Sequence, residues 1–396
     1  MLEGMKVLSF VHGLYGCGAS QILADLGADV VRVEWDPENR GRPGSDYRKN
    51  GEGIFFLLTG RNQKSFAADL SRPGGRAAVV RLLEEYDTVI ENCPPGFLAG
   101  LGLGYETLRT RFPRLVWCSC TAYGNGGPRA GEVDDELLMQ AASGLAWLNG
   151  PGSKPPVPAG AALIEQHAAS LLALGLVAAA RDRDRTGRGH LVETNLLLAS
   201  LDMQIETVGY YSNGGRFIPR VDTGLSTRIH QSPYGVYHTA DGYITVSLTH
   251  HDRLSQIFTP GVMDRFTERD AMENREEFDK VVCEELKKRT TAEWIALFDT
   301  LKDMWYSPVN EYEQMLRDEQ VIYNRPFLQM QVPEAGKVQV LGHPNRYDGE
   351  NLPLRSTPPA FGEDTGTLLR RCGYTEEEIE ALDRTGTVQI HQEKKE

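Results

Sequence analysis

The chain has 396 residues, 40% hydrophobic and 24% charged, with a formal net charge of −13. That length exceeds what one hydrophobic core usually serves, so two domains are expected. The acidic balance argues against nucleic acid as a partner, because phosphate backbones require a basic surface, while leaving room for a local basic pocket.

Cys17, Cys93, Cys118, Cys120, Cys283 and Cys372 follow no metal-ligand spacing. With a strand pattern at the start and no signal peptide ahead of it, they read as thiols of a reducing, cytoplasmic protein.

Residues 5–10 (MKVLSF) form a β-type run, broken by a glycine loop over 12–18. A helix over 19–26 and a strand over 29–34 complete a βαβ unit, which implies a parallel sheet. The loop glycines run G-x-x-G-x-G, not in the dinucleotide order, yet Glu34 ends the second strand where an acid would hold an NAD ribose. An NAD-dependent oxidoreductase is therefore one alternative.

A basic loop follows with Arg40, Arg42, Arg48 and Lys49. It reads either as a solvated surface or as an electrostatic lure for a phosphorylated cofactor. RNQKS (61–65) precedes a strand over 66–70, and Pro73 opens a helix to about 86. A strand over 88–91 leads into Asn92-Cys93-Pro94-Pro95-Gly96, and a buried strand over 115–120 leads into the glycine-rich stretch 121–128. Ligands of open α/β sheets bind at the carboxyl ends of strands, so loops 12–18, 92–96 and 121–128 are the candidate site.

A helix is expected over 137–148, then a proline turn from 155 and one acid, Glu165, heading an apolar helix. Its apolar stretch, 168–180, falls short of the ~20 residues that cross a bilayer. A carboxylate in a first turn is favoured by the helix dipole and free N–H groups. Glu165 thus reads as an ordinary helix acid or as a nucleophile.

Residues 190–211 read as one long helix. Beyond 213 the character changes: a hairpin over 234–246 turns at Asp241-Gly242, and helices lie near 275–289 and 291–301. A connector helix from about 313, an extended tail and a helix over 376–382 finish the chain. Residues 1–212 and 325–396 are assigned to a large domain, and 213–324 to a small α+β domain. His250-His251 with Asp252 lacks a third ligand, and Asp134-Asp135-Glu136 reads as a helix-start acid cluster, so no metal is expected.

Several motifs in order carry a resemblance: LADLGADVVRVE (23–34), RNQKS…DL (61–70), IEN…PG (90–96), LGLGYETL (101–108), TGRG (186–189), YHTADGYITV (237–246) and LGHPNRY (341–347). With them, residues 2 to about 385 resemble the class III CoA-transferases, a group that includes formyl-CoA and carnitine CoA-transferases and α-methylacyl-CoA racemases. The resemblance implies an α/β fold: an open, mostly parallel Rossmann-like sheet in a large CoA-binding domain, a smaller α+β domain, and an interlocked homodimer. It implies coenzyme A, as acyl-CoA, and carboxylic acids as substrates, with no metal, nicotinamide, nucleic acid or membrane. By the same resemblance, CoA would lie against Tyr15, Gly16, Arg42, Asp69, Leu70, Asn92, Gly96 and Tyr123.

The family's aspartate nucleophile falls on Glu165, in the register set by Val157 to Ile164. The resemblance implies attack on a thioester, a mixed anhydride and an enzyme-bound glutamyl thioester. Glutamate is one methylene longer than aspartate, Gly100 stands where relatives carry arginine, and Cys93-Pro94 replaces a Phe-containing turn. Thr227-Arg228-Ile229-His230 replaces a glycine loop over the site, so Arg228 and His230 would bind a substrate carboxylate. One alternative is a catalytically silent subunit beside an aspartate-bearing paralogue. Another is a racemase, whose histidine falls on Asp135, leaving two carboxylates to exchange a proton.

Overall fold

The computed structural model describes residues 1–35, 47–133, 135–333 and 335–392. The chain divides into two units, Met1–Met139 with Ala162–Met203 and Arg325–Glu396, and Gln140–Ala161 with Gln204–Asn324. Residues 140–161 and 204–212, which the sequence reading leaves in the large domain, group with the second unit.

The first unit holds a seven-stranded sheet. Its strands are β1 (Lys6–Phe10), β2 (Asp29–Glu34), β3 (Lys64–Ala68), β4 (Thr88–Glu91), β5 (Val116–Thr121), β6 (Leu191–Asn195) and β7 (Val388–Gln389). Their order is β7-β3-β2-β1-β4-β5-β6. All neighbours run parallel except β7, which is antiparallel to β3. This is the doubly wound order, and it reverses direction between β1 and β4. Val30, Val31, Val33, Val89, Ile90 and Cys118 are all buried, as parallel strands covered on both faces require.

Three expectations are corrected here. First, residues 13–18 are not a loop: helix α1 (Gly13–Asp25) starts almost directly after β1 and buries Tyr15, Gly16, Cys17 and Gly18. Second, residues 190–211 are not one helix. Leu191–Asn195 pairs with β5, Cys118 opposite Val192 and Cys120 opposite Thr194, before helices Leu196–Met203 and Ile205–Ser212. The open edge of β5 overrides local helical periodicity, and β-branched Val192 and Thr194 suit a strand. Gly189 lets the chain in, since a Cβ there would lie 2.1 Å from the Leu115 carbonyl oxygen. Third, the tail is not extended: an antiparallel hairpin, Phe327–Val332 with Gly336–Leu341, precedes helices Thr365–Arg371 and Glu376–Arg384.

The RNQ segment fastens α1 to the C-terminal stretch. Arg61 donates from Nε and Nη2 to the Asp25 carboxylate at 3.0 and 2.6 Å. Asn62 donates to Asp25 at 2.8 Å and accepts the backbone N–H groups of Arg355 and Ser356. The Arg61–Asp25 pair is almost fully buried, and removing one partner of such a pair typically costs about 3–5 kcal/mol.

After helices α2 (Pro73–Leu82) and α3 (Glu136–Ala142), helix α4 (Leu163–Thr186) runs for 24 residues. It is therefore longer than the apolar stretch 168–180 suggests, and by length and composition it could cross a bilayer. Yet Ile164, Ala168, Leu172 and Leu176 are fully buried, packed toward α1 and the sheet. At its end Arg183, also buried, meets Asp87 at 2.7 Å. That is the pattern of a core helix.

The second unit carries a three-stranded antiparallel sheet, with Tyr243–Ser247 between Tyr234–His238 and Trp305–Pro308. The hairpin expected over 234–246 is its centre. Helices Arg275–Leu286 and Thr291–Phe298 cover it, the latter started by a Thr290/Glu293 capping box. Tyr237, Phe278, Trp294 and Phe298 form its core.

Candidate active site

Glu165 is in the first turn of α4 and half-buried. The helix has no side-chain N-cap of its own: Ala162 occupies that position. Instead Glu136, the first residue of α3, supplies the acceptors. The backbone N–H of Ile164 donates to Glu136 Oε1 at 3.2 Å, and that of Glu165 donates to Oε2 at 3.0 Å. Two N–H groups that an ordinary helix acid would serve are thus taken by another residue. Asp135, the racemase histidine position, caps α3 by accepting the Leu137 N–H at 2.7 Å. Sequence reasoning read Glu136 only as part of an acid cluster, because its partner lies 28 residues away.

At the point where the strand order reverses, the loops after β1 and β4 are locked together. Asn92 Oδ1 accepts the His12 backbone N–H at 2.8 Å and lies 2.8 Å from His12 Nδ1. Asn92 Nδ2 donates to the His12 carbonyl at 2.6 Å. Gly16 makes this possible, since a Cβ there would stand 2.8 Å from Asn92 Cγ and Nδ2 and from Val11 Cβ. Three of the sequence-named positions, Tyr15, Gly16 and Asn92, therefore gather at one place. Gly96 is exposed and left-handed (φ 82°) at the end of the same loop.

The others lie apart. Leu70 is buried in the core beside β3. Asp69 accepts from the Ser71 backbone and hydroxyl and from Arg72 Nε. Partial burial opposes its charge, but these hydrogen bonds outweigh it and hold the carboxyl below its ordinary value. The Tyr123 hydroxyl accepts from Arg129 Nη2 at 2.6 Å, and the guanidinium carbon stands 3.8 Å from the ring centroid. Arg42 lies outside the described residues. Glu34, the nicotinamide-type acid, is buried and accepts from Ser65.

The loop after β4 also walls a cavity of ≈ 270 Å³ bounded by Glu91, Pro94, Tyr105, Ser119 and Glu193. Burial pushes the Glu91 carboxyl up, partly offset by hydrogen bonds from Ser119 and the Cys93 N–H. The neighbouring thiols are poor nucleophiles, since burial raises Cys93 well up and Cys118 to about 12. Among the described residues no cluster of three metal-ligating side chains exists.

In the second unit, His230 and Arg228 share one loop. His230 Nδ1 is 3.0 Å from Thr227 Oγ1, Nε2 is 3.4 Å from Glu206 Oε1, and the ring stacks on Tyr234 at 4.5 Å. Arg228 Nε donates to the Ile218 carbonyl at 2.8 Å.

Comparison with known proteins bears on this arrangement. The model of CoA-transferase family III matches residues 2–365. Succinyl-CoA:glutarate CoA-transferase of Mus musculus is 30% identical, covering 99% of this chain and 91% of its own. Succinate–glutarate CoA-transferase of Agrobacterium fabrum is 28% identical, over 98% and 97%. The crystal structure of a CAIB/BAIF family protein from Brucella suis, 25% identical, superposes with a TM-score of 0.80 over 94% of this chain and 99% of that one. With the sheet order and a family match spanning residues 2–365, the chain belongs to CoA-transferase family III.

Proposed function

We propose that this enzyme moves coenzyme A between carboxylic acids, with Glu165 as nucleophile and CoA lying along the His12–Asn92 junction. The observation that carries the reading is Glu165 itself, a half-buried carboxylate at a helix head whose backbone donors Glu136 satisfies. Glu136, and not Glu165, therefore serves the free N–H groups at this helix head. The names of the relatives support dicarboxylic acids as the exchanged substrates.

The chemistry balances without water or an external proton. A Glu165 oxygen attacks the thioester carbonyl, and the C–S bond breaks to release CoA thiolate and leave a glutamyl–acyl anhydride. The thiolate then attacks the glutamyl carbonyl, expelling the donor acid as carboxylate and leaving a glutamyl-CoA thioester. The acceptor carboxylate repeats both steps in reverse. Backbone donors in the glycine loops would stabilise each tetrahedral oxyanion. Tyr15, Gly16, Asn92 and Gly96 would line the CoA path. Apolar side chains left exposed, Leu174, Leu198, Ile205 and Tyr211 among them, support an interlocked dimer that covers them.

Incubation with succinyl-CoA followed by borohydride or hydroxylamine, then peptide mass spectrometry, tests the reading. Label on Glu165, and loss of turnover in Glu165→Ala, are expected. Label on another residue, or turnover that survives Glu165→Ala, overturns it. Activity that arises only on mixing with an aspartate-bearing paralogue makes the chain a silent subunit instead.

A further inference from the structure

One cavity of the second unit is lined by two arginines. Arg220 and Arg228 line a cavity of ≈ 250 Å³ together with Asn149, Gly150 and Thr227, and no aspartate or glutamate is among its lining residues. Both guanidinium groups are anchored by main-chain carbonyls. Arg220 donates to Asn149 O at 3.0 Å and Lys154 O at 3.2 Å, and Arg228 donates from Nε to Ile218 O. The ring of Trp147 lies 5.3 Å from the Arg220 guanidinium carbon and 5.9 Å from that of Arg228.

Arg228 Nη1 is buried with no hydrogen-bond partner among the described residues. Burial first, and then the charge of Arg220, disfavours its cationic form. The nearest acid in sequence, Asp222, instead accepts the Ser153 backbone N–H at 2.8 Å. An unpaired buried donor and two like charges side by side are both unfavourable, and one anion between them relieves both. A guanidinium already held by carbonyls and an aromatic face loses little freedom in gripping a carboxylate.

We propose that Arg220 and Arg228 form a carboxylate-binding site in the second unit that takes a short dicarboxylate. Its link to turnover rests on the transfer reaction proposed above. The cavity suits a few-carbon acid rather than a long acyl tail.

Titration calorimetry on the intact protein with glutarate, with pentanoate of the same chain length, and with CoA tests the assignment. Wild type binds glutarate and discriminates against pentanoate. Arg228→Gln and Arg220→Gln each weaken glutarate roughly 10- to 100-fold, as loss of a charged hydrogen bond does, and leave CoA unchanged. Arg228→Lys, which keeps the charge and guards against misfolding of the Gln variant, falls between. Glutarate binding equal in wild type and both Gln variants overturns the site, and so does parallel loss of CoA, which would mark a phosphate-binding site. Failure of this inference stays separable from failure of the transfer reaction. Glutarate binding lost in the variants with no label on Glu165 sinks only the transfer, whereas a labelled Glu165 with unchanged glutarate binding sinks only the site.

Discussion

The Glu136 carboxylate on α3 accepts the backbone N–H of Glu165 on α4 at 3.0 Å and that of Ile164 at 3.2 Å. A side chain from one helix thereby fixes the head of another, where the proposed nucleophile is mounted. Glu136→Ala frees both donors and lets that head drift. A displacement near 1 Å costs on the order of 10²-fold in rate, so kcat should fall by about that factor while KM for acyl-CoA stays put. Glu136→Gln retains one acceptor oxygen and should recover part of the loss. Loss of a cap costs about 1 kcal/mol, so thermal melts should show folded protein for both variants. Equal kcat in wild type and Glu136→Ala would remove the positioning role.

Gly16→Ala drives a methyl group to 2.8 Å from the Asn92 side chain. Overpacking of this kind costs about 1–3 kcal/mol, and here it also disturbs the three contacts between Asn92 and His12. Both the melting temperature and the CoA affinity should drop. Gly100→Ala, at an exposed site with nothing within 4 Å of an added Cβ, is the control and should leave the melting temperature unchanged.

Glu91 gives a pH signature. Burial raises its carboxyl above the ordinary value in the folded state, so folding takes up a proton in the window between the two. Its contribution to stability is complete below the ordinary glutamate value and is lost as pH rises through the raised native value. Glu91→Gln stays neutral throughout. The melting temperature of the variant relative to wild type should therefore climb from pH 4 to pH 8, and a flat or falling difference would contradict the account.

The thiols should divide by burial. Cys17, Cys93, Cys118 and Cys120 are buried, while Cys283 and Cys372 are partly exposed. Burial still raises both of the latter, Cys283 to about 11, so even these react slowly. Titration with a chromogenic disulfide in native buffer should detect Cys283 and Cys372 alone, and all six only after denaturation. Fast reaction at Cys93 would mean that the loop after β4 opens in solution.

Local pattern was enough for the two strands of the first βαβ unit, though not for the start of its helix, and for the second unit's hairpin, because alternation and turn chemistry sit within a few residues there. It failed at Leu191–Asn195, whose strand identity comes from the waiting edge of β5 and not from its own periodicity. RNQKS was visible as a motif, but its physical meaning, Arg61 and Asn62 converging on Asp25, appears only once the chain is folded. Glu165 could be singled out from its place at a helix head, whereas Glu136 became more than a surface acid only when the two helices met. Arg228 stood out in the sequence. Its companions did not, since Trp147 comes from a distant stretch and only the fold sets its ring beside Arg220 and Arg228.

The smallest strand of the sheet has the widest consequence. β7 pairs two residues with the outer edge of β3, and Thr365 Oγ1 accepts the Ala67 N–H on that same strand. Both arrive from roughly 300 residues beyond β3. A chain still emerging from the ribosome therefore carries β3 as a bare template for pairing with other strands, through most of its synthesis. The site-bearing sheet cannot be completed before residues 365 and 388 are made, and a product cut short before residue 388 should be prone to self-association rather than merely inactive.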